Sequence, residues 1–129
     1  MEDTVKIDKE IDKEDEIALS IGRFIDEHNG GNTIVLDISA FSSWTKYFII
    51  STSTSLGHLK GLVRQLKTFL SEHGIDVYHR HKNISENGWE LIDCGDFVIH
   101  LMDGEVRAFY NLEKLWFNGK VLYQSSKSS

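Results

Sequence analysis

Residues 47–79 read YFIISTSTSLGHLKGLVRQLKTFLSEHGIDVYH. Three patterns follow one another in this stretch. Tyr47-Phe48-Ile49-Ile50-Ser51 is a short apolar run of strand-forming residues. Ser53-Thr54-Ser55 offers N-caps, because a hydroxyl oxygen accepts from the free amides of a helix's first turn. Leu59, Leu62, Val63, Leu66, Phe69 and Leu70 then recur at helical spacing and form one apolar stripe. Gly74 stops the helix, and Ile75-Asp76-Val77-Tyr78-His79 reads as a further strand. Strand, helix and strand at this spacing predict one βαβ unit with a right-handed crossover, and with it an α/β fold.

Upstream, Glu14 to His28 is helical in pattern. Ile17, Ile21, Phe24 and Ile25 make a single stripe, and Asn29-Gly30-Gly31 ends it, since glycine tolerates the left-handed conformation of a helix stop. Thr33-Ile34-Val35-Leu36-Asp37-Ile38 is β-branched and nearly all apolar, which suits a strand buried on both faces. Ser39 to Lys46 is too short for a crossover helix, so this strand and the Tyr47 strand pair antiparallel. The connection carries two exposed aromatics, Phe41 and Trp44.

Downstream, Ser85-Glu86-Asn87-Gly88 signals a turn. Trp89 to Cys94 and Phe97 to Met102 are two strands joined across Gly95-Asp96, a β-hairpin. Phe109 to Trp116 reads as a short helix, with Leu112 and Trp116 four apart. The sum is a two-layer α/β domain with a mixed five-stranded sheet. The predicted layout is a charged N-terminal tail over 1–13, one domain over 14–118 and a polar, frayed C-terminal tail over 119–129. Ile7 and Ile11, four apart, leave open that the first helix starts earlier.

The 129 residues suit one domain able to bury a core without disulfides. No apolar run is long enough to span a bilayer, and the acidic N-terminus lacks a secretory pattern, so a cytoplasmic location is expected. The single cysteine, Cys94, forms no intramolecular disulfide. Net charge is −6, and residues 1–16 hold eight acids and three lysines, or −5, which leaves −6 − (−5) = −1 for the rest. A nearly neutral domain without clustered Lys or Arg is poorly suited to binding phosphates broadly. Nucleic-acid specificity is therefore not expected, and a basic protein partner is compatible.

Four constellations invite a chemical reading, and each has a plainer one. His79-x-His81 offers two imidazoles, but zinc needs three or four ligands. Ser51 to Gly57, between strand and helix, has the placement of a phosphate-binding loop, yet it lacks the glycines and lysine of a P-loop, and N-capping accounts for its hydroxyls. Cys94 with His100 suggests a thiol and a base, without a third orienting group. Asp93, Asp96 and Asp103 could hold a divalent ion, but aspartate at turns normally bonds to backbone. No catalytic residue, metal site or cofactor is predicted. Trp89 to Trp116 differs from these four. It mixes Trp89, Phe97, Phe109, Tyr110 and Trp116 with Asp93, Asp96, Glu105, Arg107 and Glu113, the combination that protein interfaces enrich. A core under the hairpin would use many of the same aromatics.

The segment Trp89-Glu90-Leu91-Ile92-Asp93-Cys94-Gly95-Asp96-Phe97-Val98-Ile99-His100, followed by Arg107-Ala108-Phe109-Tyr110-Asn111-Leu112-Glu113-Lys114-Leu115-Trp116, resembles the signature of the ribosomal silencing factor, or Iojap-like, family. The resemblance runs more weakly through Asp37, Ser42, Tyr47-Phe48-Ile49-Ile50 and Thr54-Ser55, and covers roughly residues 16–118. Three positions depart from the family pattern: Lys46 and Leu56 stand where aspartate is usual, and Ser53 where glycine is usual. They put in doubt a small-molecule role for that loop.

The resemblance implies a nucleotidyltransferase-like fold without the catalytic carboxylates, and a protein that is not an enzyme. It implies binding to the large ribosomal subunit at protein L-fourteen, steric blocking of the small subunit and repression of translation, with homodimers when free. Large-subunit assembly and a nucleotidyltransferase-like activity are the alternatives. The partner-binding residues it suggests are Trp89, Leu91, Asp93, Gly95 and Asp96 as a docking edge, with Arg107, Tyr110, Glu113 and Trp116 beside them. Within the segment, Phe97 to Leu101 and Leu112 suit the core better, and His100 and Arg107 could brace the hairpin.

Overall fold

The computed structural model describes residues 13–78, 88–115 and 119–125. Residues 1–12 of the predicted N-terminal tail, His79, His81, residues 85–87 of the predicted Ser85–Gly88 turn and Trp116 lie outside the described residues, as does the side chain of Glu113; Lys13 opens the first helix. The elements in chain order are α1 (Lys13–Glu27), β1 (Gly31–Asp37), β2 (Tyr47–Ser53), α2 (Leu56–Glu72), β3 (Trp89–Asp93), β4 (Phe97–Asp103), α3 (Gly104–Tyr110), α4 (Leu112–Leu115) and β5 (Lys120–Gln124). The five strands form one mixed sheet in the order β3-β4-β2-β1-β5. β2 and β4 are parallel, and the other three pairings are antiparallel.

The crossover exists but joins different strands from those predicted. α2 carries the chain from β2 to β4, and β3 is laid down at the edge on the way. Residues 75–78 are not a strand. Ile75 and Val77 are half-buried against the core under the helices while Asp76 and Tyr78 are exposed. The alternation in sequence thus reflects burial without pairing. The Tyr78 amide does donate to the Asp93 carbonyl, at 2.7 Å.

The fifth strand comes from the segment read as a frayed tail. Lys120–Gln124 pairs with β1 from Ile34↔Gln124 to Asp37↔Lys120. Two further bonds fasten it to α1: the Tyr123 hydroxyl donates to Asp26 Oδ2 at 2.6 Å, and the Ser125 hydroxyl to Asp26 Oδ1 at 3.0 Å.

Both sheet faces are apolar because β1, β2 and β4 lie inside the sheet. One face packs under α1 and α2 through Ile21, Ile25, Val35, Ile49, Leu62, Leu66, Ile92 and Ile99. The other gathers Ile34, Leu36, Ile38, Phe48, Ile50, Val98, Met102 and Leu112, and there α3 and α4 follow directly from β4. At the end of α1 the left-handed residue is Asn29, with φ 71°, and not a glycine. Gly30 is needed for closeness: a Cβ there would meet Ile25 Cγ2 and Ser51 Oγ at 2.4 Å. The predicted helix over Phe109 to Trp116 is instead two helices. α3 starts earlier, capped by Asp103, whose Oδ1 accepts from the Val106 amide at 2.8 Å. It ends at Asn111, whose φ of 48° breaks the helix before α4.

Candidate aromatic docking face

Alternation along β3 puts Trp89, Leu91 and Asp93 on the sheet face away from α1 and α2, while Glu90 and Ile92 point under those helices and are buried. β4, antiparallel to it, places His100 opposite Leu91 and Met102 opposite Trp89. The α3 helix then brings its end back over the same edge, so that Tyr110 meets Trp89 with ring centroids 4.7 Å apart. Phe109 stands edge-on to Tyr110 at 5.0 Å.

The result is a continuous row of rings. Trp44 contacts Phe48 at 6.1 Å, Phe48 contacts His100 at 4.7 Å, His100 contacts Trp89 at 5.9 Å, and Tyr110 and Phe109 follow. The middle of the row is buried and its ends are open. Trp44 is 61% exposed, Tyr110 49% and Phe109 80%. Phe109 and Tyr110, both open and in contact, are contiguous apolar surface of the kind that marks binding sites.

His100 is the polar member of the row. The residue is 4% exposed. The Trp89 indole N–H donates to His100 Nδ1 at 3.3 Å, so Nδ1 must be unprotonated and the ring proton sits on Nε2. Burial pushes the His100 pKa down to about 4, which keeps this neutral form at physiological pH.

The remaining candidate residues divide by what they touch. Asp93 Oδ1 accepts from the Gly95 amide at 2.8 Å and closes the hairpin turn. Gly95 has φ 84°, and a Cβ would come within 2.7 Å of the Tyr78 ring, so its role is conformational. The Asp96 carbonyl accepts from the amides of Lys46 and Tyr47, while the residue as a whole is exposed. Arg107 is a brace: Nη1 donates to Thr52 Oγ1 at 2.9 Å and to the Gly31 carbonyl at 3.3 Å, tying α3 to β1 and β2. Trp44, in the sequence only an exposed aromatic of the β1–β2 connection, joins the row because the parallel pairing of β2 and β4 lets the Phe48 ring reach His100.

The chemical constellations come apart in three dimensions. Cys94 belongs to the core under α1 and α2, on the other sheet face from His100. Burial first, and the neighbouring Asp93 charge second, push its thiol up to about 12, the reverse of an activated nucleophile. Asp93 and Asp96 lie at one end of β4 and Asp103 at the other, roughly 20 Å away at strand rise. Among the described residues no group of three or more His, Cys, Asp or Glu is placed to hold a metal. Ser55 caps α2, its Oγ accepting from the His58 amide at 3.0 Å, and Ser51, Thr52 and Ser53 are buried in β2. Lys46 forms an ion pair with Glu14 of α1, a surface contact of small energetic weight. Among the described residues no helix is long and apolar enough to cross a membrane.

The class these features define is a small α/β domain with a mixed five-stranded sheet and one open aromatic face. Comparison with known proteins makes this specific. Residues 11–128 match the family model described as ribosomal silencing factor during starvation, RsfS. The ribosomal silencing factor RsfS of Bacillus subtilis is 33% identical over 91 residues, spanning 70% of this chain and 76% of that protein. The mouse protein named mitochondrial assembly of ribosomal large subunit protein 1 is 33% identical over 92 residues, 70% of this chain and 40% of its own length. A crystal structure of a Chromobacterium violaceum protein superposes with a TM-score of 0.69 at 29% identity, over 79% of this chain and 82% of that one. The chain belongs to the ribosomal silencing factor (RsfS, Iojap-like) family.

Proposed function

We propose that this protein docks on the large ribosomal subunit at protein L-fourteen, keeps the small subunit from joining and so represses translation. It acts by occupancy and carries out no reaction. The observation that carries this reading is the position of Trp89 and Leu91. Both are half-buried at the sheet edge, next to Tyr110 and the open Phe109, in a chain of the silencing-factor family. Tryptophan and tyrosine are enriched among the residues that carry most of the binding energy at interfaces. Asp96 and the partly exposed Asp93 at the hairpin turn put negative charge at one end of the patch, which suits a basic partner and speeds correct encounter.

Trp89→Ala tests the reading. Purified protein with the substitution, folded by circular dichroism, is sedimented with large subunits. Affinity is expected to fall roughly 30-fold, the equivalent of about 2 kcal/mol for a central anchor. Unchanged co-sedimentation overturns the surface.

A second reading, assembly of the large subunit, is favoured by the name of the mouse relative. The two separate in cells lacking the protein. Silencing predicts normal large subunits and faster joining to small ones, whereas assembly predicts accumulation of precursor particles.

A further inference from the structure

We propose that His100 is a positioning residue for the docking face, holding the Trp89 indole at its working angle through the bond from the indole N–H to Nδ1. The inference rests on the docking role proposed above. Four observations carry it. The indole nitrogen of a half-buried tryptophan needs an acceptor, and His100 Nδ1 supplies one at 3.3 Å. The His100 ring cannot turn away freely, because it is wedged between Phe48 at 4.7 Å and Trp89 at 5.9 Å with Leu91 opposite on β3. Its other nitrogen, Nε2, is buried with no hydrogen-bond partner. An unmatched buried donor lowers stability, and an apolar side chain of similar shape would avoid that cost. The histidine therefore contributes what an apolar residue cannot, the acceptor for the indole. Low basicity keeps that acceptor unprotonated at neutral pH.

The bond fixes more than one ring. Trp89 supports Tyr110, and Tyr110 supports Phe109. Releasing the indole lets this end of the row sample other rotamers, and ordering those side chains on docking then costs affinity.

The test is a double-mutant cycle on large-subunit co-sedimentation, with His100→Leu, Trp89→Phe and the double variant, beside His100→Asn and Trp89→Ala. Asparagine puts its amide oxygen near the position of Nδ1 and keeps an acceptor. His100→Leu is expected to weaken binding roughly fivefold, within the two- to twelvefold span of one net hydrogen bond. His100→Asn is expected to stay within about twofold of wild type on the same scale. In the Trp89→Phe background, which has no indole N–H, His100→Leu should cost nothing further. The Trp89 indole proton resonance, assigned by its loss in Trp89→Phe, should move in His100→Leu and hold in His100→Asn. Equal losses from His100→Leu with and without the indole overturn the proposal, as does a Trp89 resonance that His100→Leu leaves in place. If Trp89→Ala binds as tightly as wild type, the docking reading itself fails. If Trp89→Ala loses binding while His100→Leu does not, only the positioning role fails.

Discussion

Two buried titratable groups on opposite faces of the sheet separate reactivity from stability. Cys94 has its thiol pushed up to about 12, so the thiolate is scarce at neutral pH. Native protein is expected to react with a thiol reagent such as Ellman's only after denaturant is added, and rapid labelling of native protein at pH 8 would contradict this. His100 acts on stability. Its folded pKa of about 4 lies below the ordinary 6.5, so the unfolded chain takes up a proton first as pH falls. The neutral ring's contribution is complete above about 6.5 and is lost between there and about 4. The whole is on the order of 3 kcal/mol. Urea unfolding from pH 7 to 4 is expected to show a shallower loss of stability in His100→Asn than in wild type, and identical slopes would remove the histidine from the acid response.

Two of the connections between elements rest on single residues whose effect can be weighed. Gly22 sits in α1 against β1, where an added Cβ would meet Val35 Cγ2 at 2.6 Å. Alanine favours a helix by about 1 kcal/mol, but overpacking a fully buried valine costs roughly 1–3 kcal/mol. Gly22→Ala is therefore expected to lower the urea midpoint in spite of better helix propensity. Asp103 ends β4 and starts α3, with its carboxylate on the Val106 amide. Asp103→Ala should cost about 1 kcal/mol of stability as a lost cap. Because α3 carries Arg107 and Tyr110, it should also weaken large-subunit binding, whereas Asp103→Asn, which keeps the acceptor, should restore both. A loss of stability without loss of binding would separate the cap from the docking face.

For the molecule as a whole, the sheet is closed on its β1 side by β5, and this strand ties the C-terminal segment to α1 through Tyr123, Ser125 and Asp26. Deleting residues 119–129 should expose the β1 edge and uncover Leu122 and Tyr123 contacts with the core. A loss on the order of 3 kcal/mol corresponds to a melting temperature lower by roughly 10 °C for a domain of this size. An unchanged melting curve would return the segment to a dispensable tail. The proposed docking face lies towards the opposite, β3 side of the sheet, so any folded remnant of the truncated protein should keep its affinity for the large subunit.

The apolar periodicities of α1 and α2, the runs of β1, β2 and β4 and the Gly95-Asp96 turn are local in cause, and the chain states them openly. So is the Trp89 to Trp116 signature whose resemblance pointed to the family. Partner strands are another matter. Ile75 and Val77 alternate like a strand yet form no ladder, because β4 outcompetes them for β2 with seven paired residues. Lys120–Gln124 is half polar and offers little periodicity, yet it pairs because β1 presents an open antiparallel edge. The same holds at the docking face. Aromatic content is visible in the chain, but the row from Trp44 through His100 to Phe109 joins segments more than fifty residues apart. Only long-range pairing of β2, β4 and β3 brings those rings within contact, and only the burial that follows makes His100 a neutral acceptor beneath Trp89.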